Sequence, residues 1–127
     1  MTIQAIQTLA APKAIGPYSQ AIRAGDTVYI SGQIPLHPET MQIDAADFKT
    51  AANRVFSNLK AVCEASLGSL SHIVKLTIYL TDLNDFVALN EVMMEYFHEP
   101  YPVRSTIQVA ALPKGVSIEI DAVMYLR

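Results

Sequence analysis

Ile73-Val74-Lys75-Leu76-Thr77-Ile78-Tyr79-Leu80 alternates apolar Val74, Leu76, Ile78 and Leu80 with Lys75, Thr77 and Tyr79. A period of two sends successive side chains to opposite faces, so this stretch reads as a strand with one wetter face. Before it, Phe48, Ala51, Ala52, Val55, Leu59 and Val62 recur at helical spacing. They predict a helix of about five turns, capped by Asp44 or Asp47 and ending near the Ser66 to Gly68 break. After it, Thr81, Asp82 and Asn84 supply turn and cap chemistry. A second helix then carries Phe86, Leu89, Met93, Tyr96 and Phe97 along one side and stops before Pro100 and Pro102.

Outward from this centre the chain reads as strands. Tyr18 to Ile22 and Thr27 to Ile30 are separated by Ala24, Gly25 and Asp26, a hairpin with its turn at Gly25 and Asp26. Ser105 to Ala110 and Ser117 to Tyr125 flank Leu112-Pro113-Lys114-Gly115, which reads as a second hairpin. The order β-β-α-β-α-β-β predicts an α+β fold with two helices on one face of a sheet and the other face in need of cover. A neighbouring subunit is one candidate for that cover. The sequence contains no internal repeat, linker or low-complexity tract, and residues 1–127 are expected to form one domain.

Composition narrows the function classes. Hydrophobic residues make up 51% and charged residues 17% of the 127 positions, and no stretch approaches the roughly 20 apolar residues of a membrane span. So high an apolar share in a small domain points to surface buried between subunits. The net charge is −3, and the nine Lys and Arg residues are scattered without a basic run. Nucleic acid is therefore not the expected partner. One cysteine, Cys63, excludes an internal disulfide and any multi-cysteine metal site, and it lies on the apolar stripe of the first helix as an inert thiol. Residues 1–11 lack the basic start and apolar core of a signal peptide, so the cytoplasm is the expected compartment.

Familiar catalytic signatures are absent. There is no Gly-rich phosphate loop, no Gly-x-Ser-x-Gly and no histidine pair at ligand spacing; His37, His72 and His98 sit far apart in turn or helix-end contexts. No metal and no cofactor are expected. The informative residues stand at strand and loop edges. In the last strand Ile118, Ile120, Ala122 and Met124 share one face, and Glu119 and Asp121 share the other. Asp121 reads as a solvated charge. Glu119 is bracketed by apolar residues, and burial there would raise its pKa and suit it to proton transfer. Arg104 follows Pro102 and Val103; its planar fork of donors matches a carboxylate or phosphate, although a surface salt bridge is the plainer reading. Strand alternation puts Thr106 on the same side as Arg104.

The hairpin read from residues 112–115 pairs Arg104 with about Val123, four residues from Glu119. That offset is roughly 13 Å along a strand, too far for direct contact. If both residues serve one substrate, either the ligand bridges them or the site lies between subunits. Gly16-Pro17-Tyr18-Ser19-Gln20-Ala21 delivers an aromatic hydroxyl at a strand's first residue, and Ser31-Gly32-Gln33-Ile34-Pro35 ends the next strand with a glycine that lets a backbone amide approach a ligand. Each alone is an ordinary turn.

Together with Asn84-Asp85-Phe86, Asn90, Pro102-Val103-Arg104-Ser105, Leu112-Pro113-Lys114 and Ile118-Glu119-Ile120, those two segments resemble the Rid family, also called YjgF/YER057c/UK114, in order over nearly the whole chain. The resemblance implies a chorismate-mutase-like α+β fold assembled as a homotrimer with three clefts between subunits. It implies hydrolysis of reactive enamines and imines, such as 2-aminoacrylate, to 2-keto acids and ammonia. It carries the carboxylate-binding arginine to Arg104 and the water-handling glutamate to Glu119, and places Tyr18, Ser31, Gly32 and Thr106 in the substrate pocket. Thr106 stands where many members have cysteine, His37 where Asp or Asn is usual, and Met41 where glycine is common; the loop after Ser31-Gly32 is expected to border the cleft. Two other classes are weighed beside a deaminase: a metabolite-binding regulator without catalysis, and the ribonuclease or translation inhibitor of the family's older names, which the acidic balance opposes.

Overall fold

The computed structural model describes residues 2–127, in the order β1 (Ile3–Ile6), β2 (Ala21–Ala24), β3 (Thr27–Gln33), α1 (Phe48–Ala65), β4 (Ile73–Leu80), α2 (Phe86–Tyr96), β5 (Val103–Gln108) and β6 (Ile118–Tyr125). The strands form one six-stranded sheet, β1-β2-β3-β6-β4-β5, in which only the β4/β5 pair is parallel. The fold is α+β, with both helices on one face as expected, and β1 is one strand more than the sequence pattern revealed.

The helices form where their periodicity predicts. Of the two cap candidates, Asp47 is the one used: its carboxylate accepts from the Thr50 amide at 2.8 Å, satisfying a donor that the first turn leaves free. Val55, Phe56, Leu59 and Val62 of α1 are fully buried against Leu76, Ile78, Ile120 and Met124 of the sheet. Each such side chain contributes about 1.5–3 kcal/mol by leaving water. Cys63 lies in the same core.

Two expectations are corrected. Residues 105–110 and 117–125 do not form a hairpin. Instead β5 runs parallel to β4, with Arg104 opposite Leu76 and Thr106 opposite Ile78, because α2 carries the chain back across the sheet between them. The segment after β5 crosses over, and β6 enters between β3 and β4. Those two strands run parallel to each other, and β6 runs antiparallel to both, which gives each a hydrogen-bonded neighbour. Nor does Tyr18 begin a strand. It sits in a tight turn before β2, with its amide donating to the Gly16 carbonyl at 2.8 Å. The first hairpin does form, with Ala24 opposite Thr27 around Gly25 at φ 65°.

The sheet's other face is open. Tyr29, Val103 and Ile107 stand 55%, 67% and 45% exposed on it, beside Tyr79, Glu119 and Asp121. In β5 the usual pattern is inverted: apolar Val103 and Ile107 take the open side, and polar Arg104 and Thr106 take the helix side.

Candidate functional site

β3 and β6 lose step between Ile30 and Gln33: Ile30 faces Ala122, Gln33 faces Ile120, and Ser31-Gly32 fill the extra space as a bulge. A bulge of this kind re-aims side chains beside it. Ser31 is tied to the chain before β2, its hydroxyl donating to the Ser19 carbonyl at 2.6 Å and its amide to the Gln20 carbonyl at 3.0 Å. Gly32 lies under Glu119. A Cβ built on Gly32 would come within 2.9 Å of the Glu119 carboxyl carbon and 3.2 Å of its Cγ, and would overlap one of its oxygens. Gly32 has no left-handed φ, so glycine is required there for closeness alone.

Glu119, Gly32 and Ser31 line a cleft of about 450 Å³ together with Tyr18, Lys13 and Ile34. Burial, and secondly the charge of Asp121, push the Glu119 carboxyl above its ordinary range. Asp121 is not merely a solvated charge, for the Tyr79 hydroxyl donates to its Oδ2 at 3.1 Å.

Two side chains that sequence reasoning missed build the walls. Gln20, 5% exposed, accepts from the Thr8 amide at 2.7 Å and donates to the carbonyls of Thr8, Ala11 and Pro12 at 3.1, 3.3 and 2.8 Å, fastening the N-terminal segment beside the cleft. Asn58, fully buried in α1, donates to the carbonyls of Ile34 and Leu36 at 3.3 and 3.0 Å where the chain leaves β3. A buried amide on a helix reads as a packing anomaly in sequence; only the loop against it gives it meaning. The expectation that the loop after Ser31-Gly32 borders the cleft holds at Leu36. Beyond it His37 and Met41 close a small loop, with the Met41 amide on the His37 carbonyl at 2.8 Å and Met41 at φ 59°.

Arg104 stands elsewhere. Its NH2 donates to Asn90 Oδ1 at 2.7 Å, its NH1 lies 3.0 Å from Met93 Sδ, and the guanidinium carbon sits 5.0 Å from the centre of the Phe86 ring. Phe86 and Asn90 occupy one side of α2, one turn apart, so the helix presents both to the β5 edge. Arg104, Asn90 and Met93 border a second cleft of about 420 Å³ with Met94, Tyr101 and Pro102. Burial lowers the proton affinity of Arg104, and an arginine in this setting stays charged. Among the described residues no carboxylate pairs with it. Thr106 shares its side, and the Thr106 hydroxyl is buried without a partner.

The structure thus gathers Tyr18, Ser31, Gly32 and Glu119 at one cleft and leaves Arg104 and Thr106 on the opposite face of the sheet. The register behind their separation is corrected: Arg104 neighbours Leu76, and Leu76 neighbours Ala122, three residues from Glu119. Two strand spacings and three residues set the two Cα atoms roughly 14 Å apart, with side chains pointing away from each other.

The family profile described as Endoribonuclease L-PSP matches residues 8–126. The chain belongs to the Rid (YjgF/L-PSP) family. Among members of this Rid family, a 2-iminobutanoate/2-iminopropanoate deaminase of Dermatophagoides farinae is 45% identical over 96% of this chain and 95% of that protein. The crystal structure of RidA from the Antarctic bacterium Psychrobacter sp. superposes with a TM-score of 0.93 at 54% identity, covering 96% of this chain and 98% of that one. Escherichia coli TdcF with bound serine superposes with a TM-score of 0.91 at 45% identity, over 96% and 98% of the two chains. Among the described residues of this Rid protein no helix is long and apolar enough to cross a membrane, and no cluster of His, Cys, Asp and Glu is placed to hold a metal.

Proposed function

We propose that this chain hydrolyses reactive 2-enamine and 2-imine acids, such as 2-aminoacrylate, to 2-keto acids and ammonia, in clefts assembled between the subunits of a homotrimer. The observation that carries the reading is Arg104: a half-buried guanidinium held by an amide oxygen, a thioether and an aromatic ring, all neutral, with its positive charge left to be matched. Such a fork is a receptor for a carboxylate. Its separation from Glu119 within one chain is resolved if the β5 edge that carries Arg104 and Thr106 in one subunit meets Tyr18, Ser31, Gly32 and Glu119 of the next, an arrangement in which the exposed Val103 and Ile107 gain cover from that neighbour.

In this reading Arg104 clamps the substrate carboxylate and holds the C=N carbon against a water on Glu119. An enamine first takes a proton at carbon to become the protonated imine. Water adds to the C=N carbon while Glu119 accepts its proton; the nitrogen of the resulting amino alcohol takes that proton back and leaves as ammonia while the hydroxyl gives its own proton to the Glu119 carboxylate, leaving the keto acid. Burial, and secondly the charge of Asp121, raise the proton affinity of Glu119, which favours its taking the proton from water. Thr106 supplies a hydroxyl beside the anchor, and its lack of a protein partner leaves it free for substrate or water. The relatives named deaminases support this choice of reaction, as does the serine bound to TdcF, a small amino acid with its own carboxylate.

The test generates 2-aminoacrylate from serine with a dehydratase and follows keto-acid release. Acceleration by the wild type and its loss in Arg104→Ala are expected; no acceleration, or an unaffected variant, refutes the activity. Refolding Arg104→Ala together with Glu119→Gln tests the assembly. In a closed ring of three, random mixing restores roughly a quarter of wild-type activity, whereas a site within one subunit restores none.

A further inference from the structure

Glu119 has a companion that the proposed mechanism does not use. Asp121 lies two residues along β6 on the same open face, about 6.6 Å away by strand rise. Tyr79 is the cross-strand neighbour of Glu119, yet its hydroxyl reaches diagonally to Asp121 Oδ2 at 3.1 Å. The hydrogen bond fixes where the second carboxylate stands. We propose that Asp121, held by Tyr79, is a positioning residue that acts through Glu119, setting electrostatically the pH at which the Glu119 carboxyl takes and releases its proton. This rests on the reading of Glu119 as the proton-handling group.

The groups around Glu119 make Asp121 the dominant charge. From β3 it meets the uncharged Ser31 and Gly32. From the N-terminal segment Tyr18 and the cation Lys13 line its cleft, and Pro113 comes from the segment before β6. From β4 it faces Tyr79; Thr77 stands opposite Asp121, and the cation Lys75 lies two residue pairs further along, opposite Val123. Lys13 is exposed and on a flexible stem, so solvent screens it. Asp121 is half-buried and tethered. A fixed like charge beside a half-buried carboxylate favours the protonated form, and Asp121 adds to burial in raising the proton affinity of Glu119. The tether also has a mark of its own: the phenol of Tyr79 is held above its ordinary range by burial and by its bond to Asp121.

The experiment titrates the Glu119 side-chain carboxyl by carbon-13 NMR in glutamate-labelled protein, assigned by its loss in Glu119→Gln, at fixed ionic strength. Asp121→Asn, which keeps shape and removes charge, is expected to lower the Glu119 midpoint by roughly half to one pH unit. The acid limb of kcat/KM moves by the same amount while plateau kcat stays within about twofold. Tyr79→Phe, which frees Asp121, gives a midpoint between those of wild type and Asp121→Asn. A Glu119 midpoint unchanged in Asp121→Asn overturns the proposal. If that variant does not fold, an unchanged midpoint in Tyr79→Phe overturns it instead. A shifted midpoint in a protein that hydrolyses no imine upholds the coupling and refutes the deaminase reading, so the two failures are distinguishable.

Discussion

Replacing Gly32 by alanine tests the site at its tightest point. The added methyl would sit 2.9 Å from the carboxyl carbon of Glu119 and 3.2 Å from its Cγ, where carbon atoms prefer about 3.5–4.0 Å. Because Gly32 lies in a bulge tied by Ser31 to the chain before β2, the side chain yields rather than the backbone. The carboxylate moves by about 1 Å, and a displacement of that size at a reacting group costs about 10²-fold in rate. Forcing Glu119 off its rotamer costs about 0.5–1.5 kcal/mol, a loss of roughly 2–6 °C in Tm for a domain of this size. The assay pairs aminoacrylate hydrolysis with thermal unfolding: kcat is expected to fall about a hundredfold with KM little changed, since Arg104 is untouched. Gly115→Ala is the control. Its φ of 68° strains an alanine, but its Cβ would meet nothing within 4 Å, so stability falls while activity stays. A Gly32→Ala enzyme within about threefold of wild type refutes the placement of Glu119 over the bulge as the reacting geometry.

Glu119 also makes stability depend on pH. Its folded pKa is raised above the ordinary value of 4.5, so the stability gained from its protonated form is whole below about pH 4.5 and lost as pH rises through the raised value. Melting curves of wild type and Glu119→Gln are therefore expected to diverge from acid toward neutral pH, the wild type losing ground. Burial pushes the Cys63 thiol up to about 12, so an aromatic disulfide reagent at pH 8 should leave it unmodified in the native protein and react with it fully in denaturant. Met41 carries a side chain at φ 59°, where glycine is unstrained, and Met41→Gly is expected to raise stability by up to about 1 kcal/mol in urea unfolding.

Periodicity disclosed the elements that bury a complete face. Phe48 to Val62 and Ile118 to Met124 announce their inner sides, and both sides lie where the pattern puts them. β1 escaped because Ile3, Gln4 and Ala5 are all exposed and only Ile6 is buried, so no alternation exists to be read. The false hairpin has a different cause. Pro113 and Gly115 turn the chain equally well whether the next strand returns beside β5 or crosses to β4. In β5 the alternation is legible but its direction misleads, because the apolar set Val103 and Ile107 faces outward. Local pattern reports a residue's polarity, not which face of the sheet the fold gives it. Arg104 and Glu119 stand out in the sequence as candidates, but their opposite facing was not legible there. The structural roles of Gln20 and Asn58 were not legible, since each answers carbonyls on another segment of the chain, although Gln20 lies within the motif read at Gly16 to Ala21.

The position of β6 bears on how the protein is made. Residues 118–125 are synthesised after the other five strands of the sheet, yet they occupy its middle and alone join β3 to β4. Until they emerge from the ribosome, β1 to β3 and β4 with β5 are two half-sheets with exposed edges and no hydrogen bond between them. Nascent chains halted before Ile118 are thus expected to remain protease-sensitive, with native resistance appearing in one step once β6 closes the gap.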